Sequence, residues 1–254
     1  MVDAAAARDT EGRMPFMLHL KELRDRLMYS VIAVVLTTGL SLVLGNKIIE
    51  ALIAPAGKEI HLVATELLEN MSVWFKVSLW SGVILAMPFL VYQLFAYVSP
   101  GLTSKEKGMI LRIIPAIALM FFAGVAFAYF VALPPALHFL YTFNQDIAET
   151  LIRIDNYISV VTRLILVVGL VFETPIIIMG LARLGVVSPQ WLAARRRMWI
   201  IVAFIIAAII TPTFDPINQS IIAIPLILLL EVGILLSRLV YKKKRVVPTE
   251  KSGG

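Results

Sequence analysis

The chain contains no cysteine, and only 16% of its 254 residues are charged. The absence of cysteine excludes disulfides and thiolate metal sites. The His-Glu-x-x-His, Gly-x-Ser-x-Gly and Walker-type glycine patterns of common enzymes are also missing. The three histidines, His19, His61 and His138, lie in separate segments without metal-ligand spacing. The sequence therefore predicts a protein that is not an enzyme, with no catalytic residues, metal or cofactor.

Long apolar runs dominate the chain, which is 59% hydrophobic with a mean hydropathy of +0.88. A membrane-spanning helix needs about 18 or more such residues. Six runs cover residues 27–45, 72–98, 112–133, 157–184, 198–212 and 217–238. The fifth is the shortest, because about 15 residues cover only about 22 Å, less than a hydrocarbon core of about 30 Å. The sequence predicts an all-α polytopic membrane protein with six spans.

Positive charge is distributed unevenly along the chain. Lysine and arginine concentrate in the N-terminal segment, the second and fourth loops and the C-terminal tail, and are sparse in the other loops. Because cytoplasmic loops carry an excess of these residues, both termini are predicted to be cytoplasmic. We expect one integral membrane domain with a cytoplasmic segment at 1–26, a six-helix body at 27–238 and a basic tail at 239–254. The net charge of +6 then reflects orientation, and no nucleic-acid partner is expected.

The segment before the first span is amphipathic. Phe16, Leu20, Leu23 and Leu27 recur at helical spacing, whereas His19, Glu22 and Arg26 share a different face. This pattern predicts an interfacial helix at the cytoplasmic surface. An orientation signal alone explains the basic residues but not Glu22, because acidic residues contribute little to topology.

Glu173 and Pro175 interrupt the fourth apolar run. A charged side chain at the centre of a membrane helix costs roughly 2.5–3.5 kcal/mol on insertion scales, so a carboxylate there suggests a function. Three interpretations stand side by side: a ligand contact, a proton-relay carboxylate, or a structural hydrogen bond to a neighbouring helix. The second makes a proton-coupled small-solute transporter the main alternative function.

Other charged residues in the spans have simpler interpretations. Lys76 and Arg163 lie near helix ends and are expected to reach the membrane surface with their long side chains. Glu231 lies seven residues before Arg238, on nearly the same helical face. It is interpreted either as screened by Arg238 or as a second buried functional carboxylate. In the second loop, Glu106 follows Thr103 at the spacing of a helix-capping box, a structural role in its own right.

Several short motifs in order resemble the TatC family, the multi-spanning core subunit of the twin-arginine protein translocase. They are His-Leu-x-Glu-Leu-Arg-x-Arg-Leu at 19–27, Tyr-Gln at 92–93, Ser-Pro-Gly-Leu-Thr-x-x-Glu at 99–106, Ala-Phe-Ala-Tyr-Phe at 126–130, Phe-Glu-Thr-Pro at 172–175, Thr-Pro at 211–212 and Ala-Ile-Pro at 223–225. The resemblance covers almost the whole chain. It implies a curved, concave six-helix fold with short fifth and sixth spans and both termini cytoplasmic.

The resemblance also implies a function and the residues that perform it. The protein would bind the twin-arginine signal peptide of folded precursor proteins in a bacterial cytoplasmic membrane, with transport driven by the proton-motive force. Signal binding is carried over to Glu22, Arg24, Tyr97 and Glu106. Two guanidinium groups favour carboxylate acceptors, because their planar forks match them in bidentate geometry.

The implied partners extend beyond the signal peptide. Glu173 corresponds to an intramembrane polar site of the family, and Gln219 to a region of contact with single-span TatA/TatB-type subunits. Self-association in a receptor complex is also implied. The turn at Thr211–Asp215 is one residue longer than in some relatives, and Tyr97 stands where some of them have Phe.

Overall fold

The computed structural model describes residues 16–57, 60–98, 104–143, 151–183, 185–211 and 215–241, and most of them are helical. The elements before the third span are α1 (Phe16–Val43), α2 (Gly45–Ile53), a 3-10 turn (Ala54–Ala56), β1 (Leu62–Val63) and α3 (Glu69–Val98). The third span is built from α4 (Ser104–Phe127), a π-helical turn (Ala128–Ala132) and α5 (Leu133–Thr142). The remaining elements are β2 (Ile152–Arg153), α6 (Ile154–Phe172), α7 (Thr174–Arg183), α8 (Pro189–Ala194), α9 (Arg196–Ile210) and α10 (Pro216–Val240).

Five helical segments in the described part of the chain are long and apolar enough to cross a membrane. They are Leu20–Val43, Glu69–Tyr97, Ile114–Thr142, Ile154–Arg183 and Pro216–Val240. The fifth predicted run forms the shorter helix α9, with 15 residues, so its predicted shortness is confirmed. The expected shortness of the sixth span is wrong, because α10 has 25 residues. Asp215 caps its start, and the helix continues past Arg238.

Prolines affect the spans in two ways. Pro88, Pro115 and Pro225 lie inside α3, α4 and α10, which continue through them. In the fourth span the helix stops at Phe172 and restarts at Thr174, with Pro175 in the first turn of α7. A proline is tolerated there because the first amides of a helix have no intrahelical acceptor. The interruption predicted from Pro175 is therefore a break that has Glu173 at its centre.

The fourth span lies at the centre of the packing. Half of its most apolar window is buried, against 6% in the first span, so α1 is the peripheral helix. Ile158, Val161 and Leu164 of α6 are almost completely enclosed. Tyr157 adds a polar tie from the same helix, since its hydroxyl donates to the carbonyl of Leu52 at 2.8 Å. The loop helix α2 is thereby fixed to the central span.

The helical body has two chemically different ends. Glu69 begins α3 and Gln93 lies near its last turn, about 36 Å further along the axis at 1.5 Å per residue. We call the end that contains Glu22 and Gln93 the basic end, and the end that contains Glu69 and Arg153 the capped end. The charge distribution predicts that the basic end faces the cytoplasm.

A polar network organises the capped end. Leu62 and Val63 pair in parallel with Ile152 and Arg153, joining the loop before α3 to the loop before α6. The Glu69 carboxylate is only 2% exposed. It accepts a hydrogen bond from the amide of Thr65 at 2.8 Å and forms an ion pair with Arg153 at 3.4 Å. The hydrogen bonds that Arg153 donates to Glu69, and then to Glu66, raise the pKa of Arg153.

Lys76 joins the same end from inside the second span. Its ammonium group forms an ion pair with Asp155 and donates to the Ser159 hydroxyl at 3.0 Å. The ammonium group thus reaches the first turn of α6, and the expectation that Lys76 extends to the membrane surface stays a prediction. The intramolecular ion pair compensates the charge of Lys76 and connects α3 to α6.

Candidate functional site

The amphipathic motif is helical, as predicted, but it is the start of the uninterrupted helix α1 and not a separate interfacial helix. Its acid and base pair with each other. Glu22 and Arg26 lie one turn apart, so their side chains share a face. The guanidinium of Arg26 donates to Glu22 Oε1 from Nη2 at 2.6 Å and from Nε at 3.0 Å. Both side chains are about one-quarter exposed. In the part of the chain that the structure describes, Glu22 Oε2 receives no such bond.

Arg26 also connects this motif to the second span. Its Nη1 donates to Gln93 Oε1 at 3.1 Å, and Gln93 is only 8% exposed. The Tyr-Gln motif at 92–93 carried no assigned role in the sequence, and neither Arg26 nor Gln93 was among the predicted site residues. Both residues belong to motifs that resemble the family pattern, and this was the signal that could have identified them. The sequence did not show that they touch, because 67 positions separate them.

A groove of about 530 Å³ opens between the start of α1 and the end of α3. Its lining combines two carboxylates, two cationic groups, two phenols and one amide: Lys21, Glu22, Asp25, Arg26, Tyr29, Tyr92 and Gln93. Carboxylates flanked by aromatic rings suit a guanidinium ligand, which forms charge-assisted hydrogen bonds and stacks on ring faces. The groove is therefore the candidate binding site.

The other predicted signal-binding residues are not all in this groove. Arg24 does not line it; its guanidinium, with a side chain 69% exposed, pairs at 2.8 Å with Asp25, which does line it. Tyr97 lies one turn beyond Gln93 on α3, is half-buried, and is absent from the lining. The side chain of Glu106 lies outside the described residues, although its backbone belongs to α4.

Glu173 forms a second, separate polar position. Its side chain is completely buried, and neither carboxyl oxygen has a hydrogen-bond partner among the described residues. Its backbone carbonyl accepts a hydrogen bond from the amide of Ile177 at 2.9 Å, and this bond belongs to the first turn of α7. The backbone role explains the break in the helix but leaves the carboxyl group unused. The structure does not expose it to a ligand or partner at the protein surface.

Two polar contacts join the last two helices. Gln219 donates from Nε2 to the carbonyl of Phe204 at 2.8 Å, linking α10 to α9. Glu231 binds Arg196 through two 2.8 Å contacts, one to each carboxylate oxygen. The interpretation that Arg238 screens Glu231 is therefore wrong: the partner is on the neighbouring helix. No three histidine, aspartate or glutamate residues within the described ranges lie close enough together to hold a metal ion.

Together these features define a polytopic helical membrane protein with an acidic and aromatic groove at its basic end. The family model for the Sec-independent protein translocase protein (TatC) matches residues 18–225. The chain belongs to the TatC family. It is thus a multi-pass membrane component of a protein translocase, and the family is one of transport subunits rather than of enzymes.

Relatives and solved structures agree with this assignment. TatC of Aquifex aeolicus (strain VF5) is 38% identical over 239 residues, which cover 92% of this chain and 99% of the relative. TatCy of Bacillus subtilis (strain 168) is 34% identical over 234 residues, covering 91% and 92%. A crystal structure of the twin-arginine translocase receptor TatC superimposes with a TM-score of 0.73 at 38% identity, covering 87% of this chain and 99% of that one.

Proposed function

We propose that this protein is the signal-peptide receptor and core scaffold of a twin-arginine translocase. In this proposal it binds the twin-arginine signal of folded precursor proteins, associates with further copies of itself, and recruits TatA/TatB-type single-span subunits. The groove that contains Glu22 and Asp25 carries the proposal. It is consistent with a solved relative of similar fold that is described as a receptor.

The Glu22–Arg26 pair suggests how a guanidinium enters. Glu22 lines the groove, and its Oε1 is occupied by Arg26. A signal-peptide arginine therefore binds Oε2 beside Arg26 or displaces Arg26 from Oε1. Either way the protein's own arginine competes with the ligand, so affinity depends on local geometry more than on general attraction. Arg24, Tyr97 and Glu106 complete the proposed signal-binding region.

The charge distribution supports the proposed orientation. The basic end has the arginines of α1 on one side and Arg195–Arg197 on the other, and Arg183 ends α7. Placing this end in the cytoplasm of a bacterial cell puts both termini and the groove where precursors are made. Gln219, on the α9-facing side of α10, is the proposed contact region for single-span partners.

A proton-coupled solute transporter based on Glu173 is the competing proposal. Its support is the intramembrane carboxyl group without a partner among the described residues. A carrier carboxylate must be reached by water from both sides in turn, however, and Glu173 is fully enclosed at the α6–α7 break. The enclosed position favours a role in helix arrangement.

The deciding experiment is binding of a twin-arginine signal peptide to the purified protein in nanodiscs. We expect a Lys-Lys peptide and the Glu22→Gln variant each to weaken binding about tenfold or more, because a hydrogen bond to a charged group contributes about 1.5–3 kcal/mol. Glu50→Gln is the matched control, since Glu50 is exposed on α2. Equal binding of both peptides, unchanged by Glu22→Gln, would overturn the receptor proposal.

A further inference from the structure

Three consecutive arginines mark the start of α9 at the basic end, Arg195 as its N-cap residue and Arg196 and Arg197 in its first turn, and they differ in their bonding. Arg195, Arg196 and Arg197 are all exposed. Glu231 binds Arg196 with one carboxylate oxygen on Nε and the other on Nη2. Neither Arg195 nor Arg197 forms an ion pair with any residue that the structure describes. Two of the three positive charges are thus left for a ligand.

Arg195 is held in place by aromatic packing. Its guanidinium carbon lies 4.5 Å from the ring centroid of Trp191, a cation–π contact. Trp191 in turn meets Trp199 edge to face, with ring centroids 5.8 Å apart. Leu192 anchors α8 by packing with Ile178. The cation is therefore presented from a fixed platform, and a preorganised group loses less conformational entropy on binding.

Arg197 stands above an exposed apolar stripe of α9. Ile201 and Ile205 follow it at intervals of one turn, so they lie below it on nearly the same face. Their side chains are 61% and 54% exposed, as expected for residues in contact with lipid chains. A phospholipid whose acyl chains lay along the isoleucines would have its phosphate at the height of Arg197.

The length of α9 brings lipid headgroups toward these arginines. Fifteen residues rise only about 22 Å, and a span shorter than the hydrocarbon core thins the bilayer around it. Aromatic residues such as Trp191 favour the headgroup level. The cationic groups, the tryptophan and the short apolar stripe therefore all indicate the same membrane depth.

We propose that Arg197 binds the phosphate group of an anionic phospholipid whose acyl chains lie along Ile201 and Ile205. Arg195, two positions earlier and on a different side of the chain, adds a second positive charge at the same depth without contacting the same phosphate. The guanidinium fork matches phosphate oxygens in bidentate geometry. Anionic lipids are preferred over zwitterionic ones, because their headgroups carry a net negative charge that the two unpaired arginines can neutralise. This proposal is independent of signal-peptide binding, since neither arginine lines the groove at Glu22.

The test is native mass spectrometry of the purified full-length chain titrated with phosphatidylglycerol or phosphatidylcholine of identical acyl chains. We expect preferential retention of phosphatidylglycerol. Substituting Arg195→Gln and Arg197→Gln together should weaken it about fivefold for each arginine removed, since a cationic residue near an anionic surface contributes about 1 kcal/mol. Lys242→Gln with Lys243→Gln is the matched control, because it removes two charges from the tail predicted to lie on the same side.

Several outcomes would overturn the proposal. Equal retention of the two lipids would show that the headgroup charge is not recognised. An equal loss of phosphatidylglycerol retention in the tail control would show that the positive charge of the basic end attracts the lipid without a specific site. Displacement of the lipid by the same concentration of inorganic phosphate would identify a free-anion site instead. If the glutamine variant does not fold, the double variant Arg195→Lys with Arg197→Lys replaces it. Retention of phosphatidylglycerol equal to that of the unsubstituted protein would then contradict a role for the guanidinium forks.

Discussion

Arg26 donates two hydrogen bonds to a single oxygen of Glu22, at 2.6 and 3.0 Å, and a third to Gln93 at 3.1 Å. The carboxylate proposed to recognise arginines in a signal peptide thus already holds one of the protein's own. The arrangement orients Glu22 by connecting it to a second span. It also means that a bound signal competes with an internal guanidinium.

The first prediction separates these two roles by exchanging the charges. Glu22→Arg with Arg26→Glu keeps an ion pair one turn apart and should preserve folding, but it moves the carboxylate about 6 Å along α1. We therefore expect near-normal thermal unfolding in detergent and at least about tenfold weaker binding of the twin-arginine peptide. The single variant Glu22→Arg is the control and should lose both properties. Full binding by the exchanged variant would show that the position of Glu22 does not matter.

The second prediction concerns the polar network at the capped end. Glu69→Gln removes a buried acceptor that holds the Thr65 amide at 2.8 Å and pairs with Arg153, so we expect it to lower the Tm by several degrees. Glu66→Gln is the matched control, because Glu66 binds the same arginine at 3.0 Å but is 71% exposed. Exposed ion pairs contribute little to stability. Equal effects of the two substitutions would contradict the assigned importance of Glu69.

The third prediction concerns the contact between α1 and α3 at Gly82. A Cβ atom there would lie 2.6 Å from the backbone nitrogen of Thr38, so the two helices would have to separate. The Thr37 hydroxyl also donates to the Gly82 carbonyl at 2.8 Å. We expect Gly82→Ala to destabilise the protein by about 1–3 kcal/mol, as overpacking typically does.

Gly39→Ala on α1 is the control for this substitution, because a Cβ there meets no atom within 4 Å. Thermal unfolding of both variants in the same detergent is the measurement. If Gly82→Ala unfolds at the same temperature as Gly39→Ala, the close approach of the two helices is not a constraint on the fold.

The fourth prediction compares the buried carboxyl group of Glu173 with the partly exposed one of Glu231. Glu173→Leu should raise the Tm, because a buried polar group without a partner costs about 1–3 kcal/mol and both oxygens of Glu173 lack one among the described residues. Glu231→Leu should change the Tm much less, because the side chains of its ion pair with Arg196 are 39% and 51% exposed and exposed ion pairs contribute little to stability. Equal changes in Tm for the two substitutions would contradict this interpretation of the two positions.

Flux measurements on the purified chain in proteoliposomes complete that comparison. Proton-coupled solute uptake that disappears in Glu173→Leu would support the transporter proposal. We expect no such flux. We also expect Glu173→Leu to leave peptide binding in nanodiscs unchanged, because Glu173 is not part of the groove lining.

Much of the architecture was predictable because it depends on local patterns. Apolar runs predicted the helices, and the length of residues 198–212 predicted the shortness of α9. The spacing of Glu22 and Arg26 placed them on one face of one helix. The family motifs correctly identified TatC, since their order along the chain is itself a property of the sequence.

Other features depended on which helices become neighbours. The sequence placed Glu231 on nearly the same helical face as Arg238, but α10 packs on α9 and the partner of Glu231 is Arg196. Lys76 was expected to extend toward the membrane surface, but the sequence did not show that its partner is Asp155 on α6. Arg24 was expected at the binding site, but it does not line the groove and pairs with Asp25, which does.

The amino-acid sequence by itself determined the class of protein, the approximate spans, the predicted orientation and the helical face that carries Glu22. Only the tertiary structure decided that Gln93 completes the pair formed by Glu22 and Arg26, that Glu173 is enclosed, and that Glu69 organises the capped end. The physical reason is range: helical periodicity and hydropathy act over a few turns. The partner of a buried polar group is chosen by contacts between residues tens of positions apart, which exist only once the helices have packed.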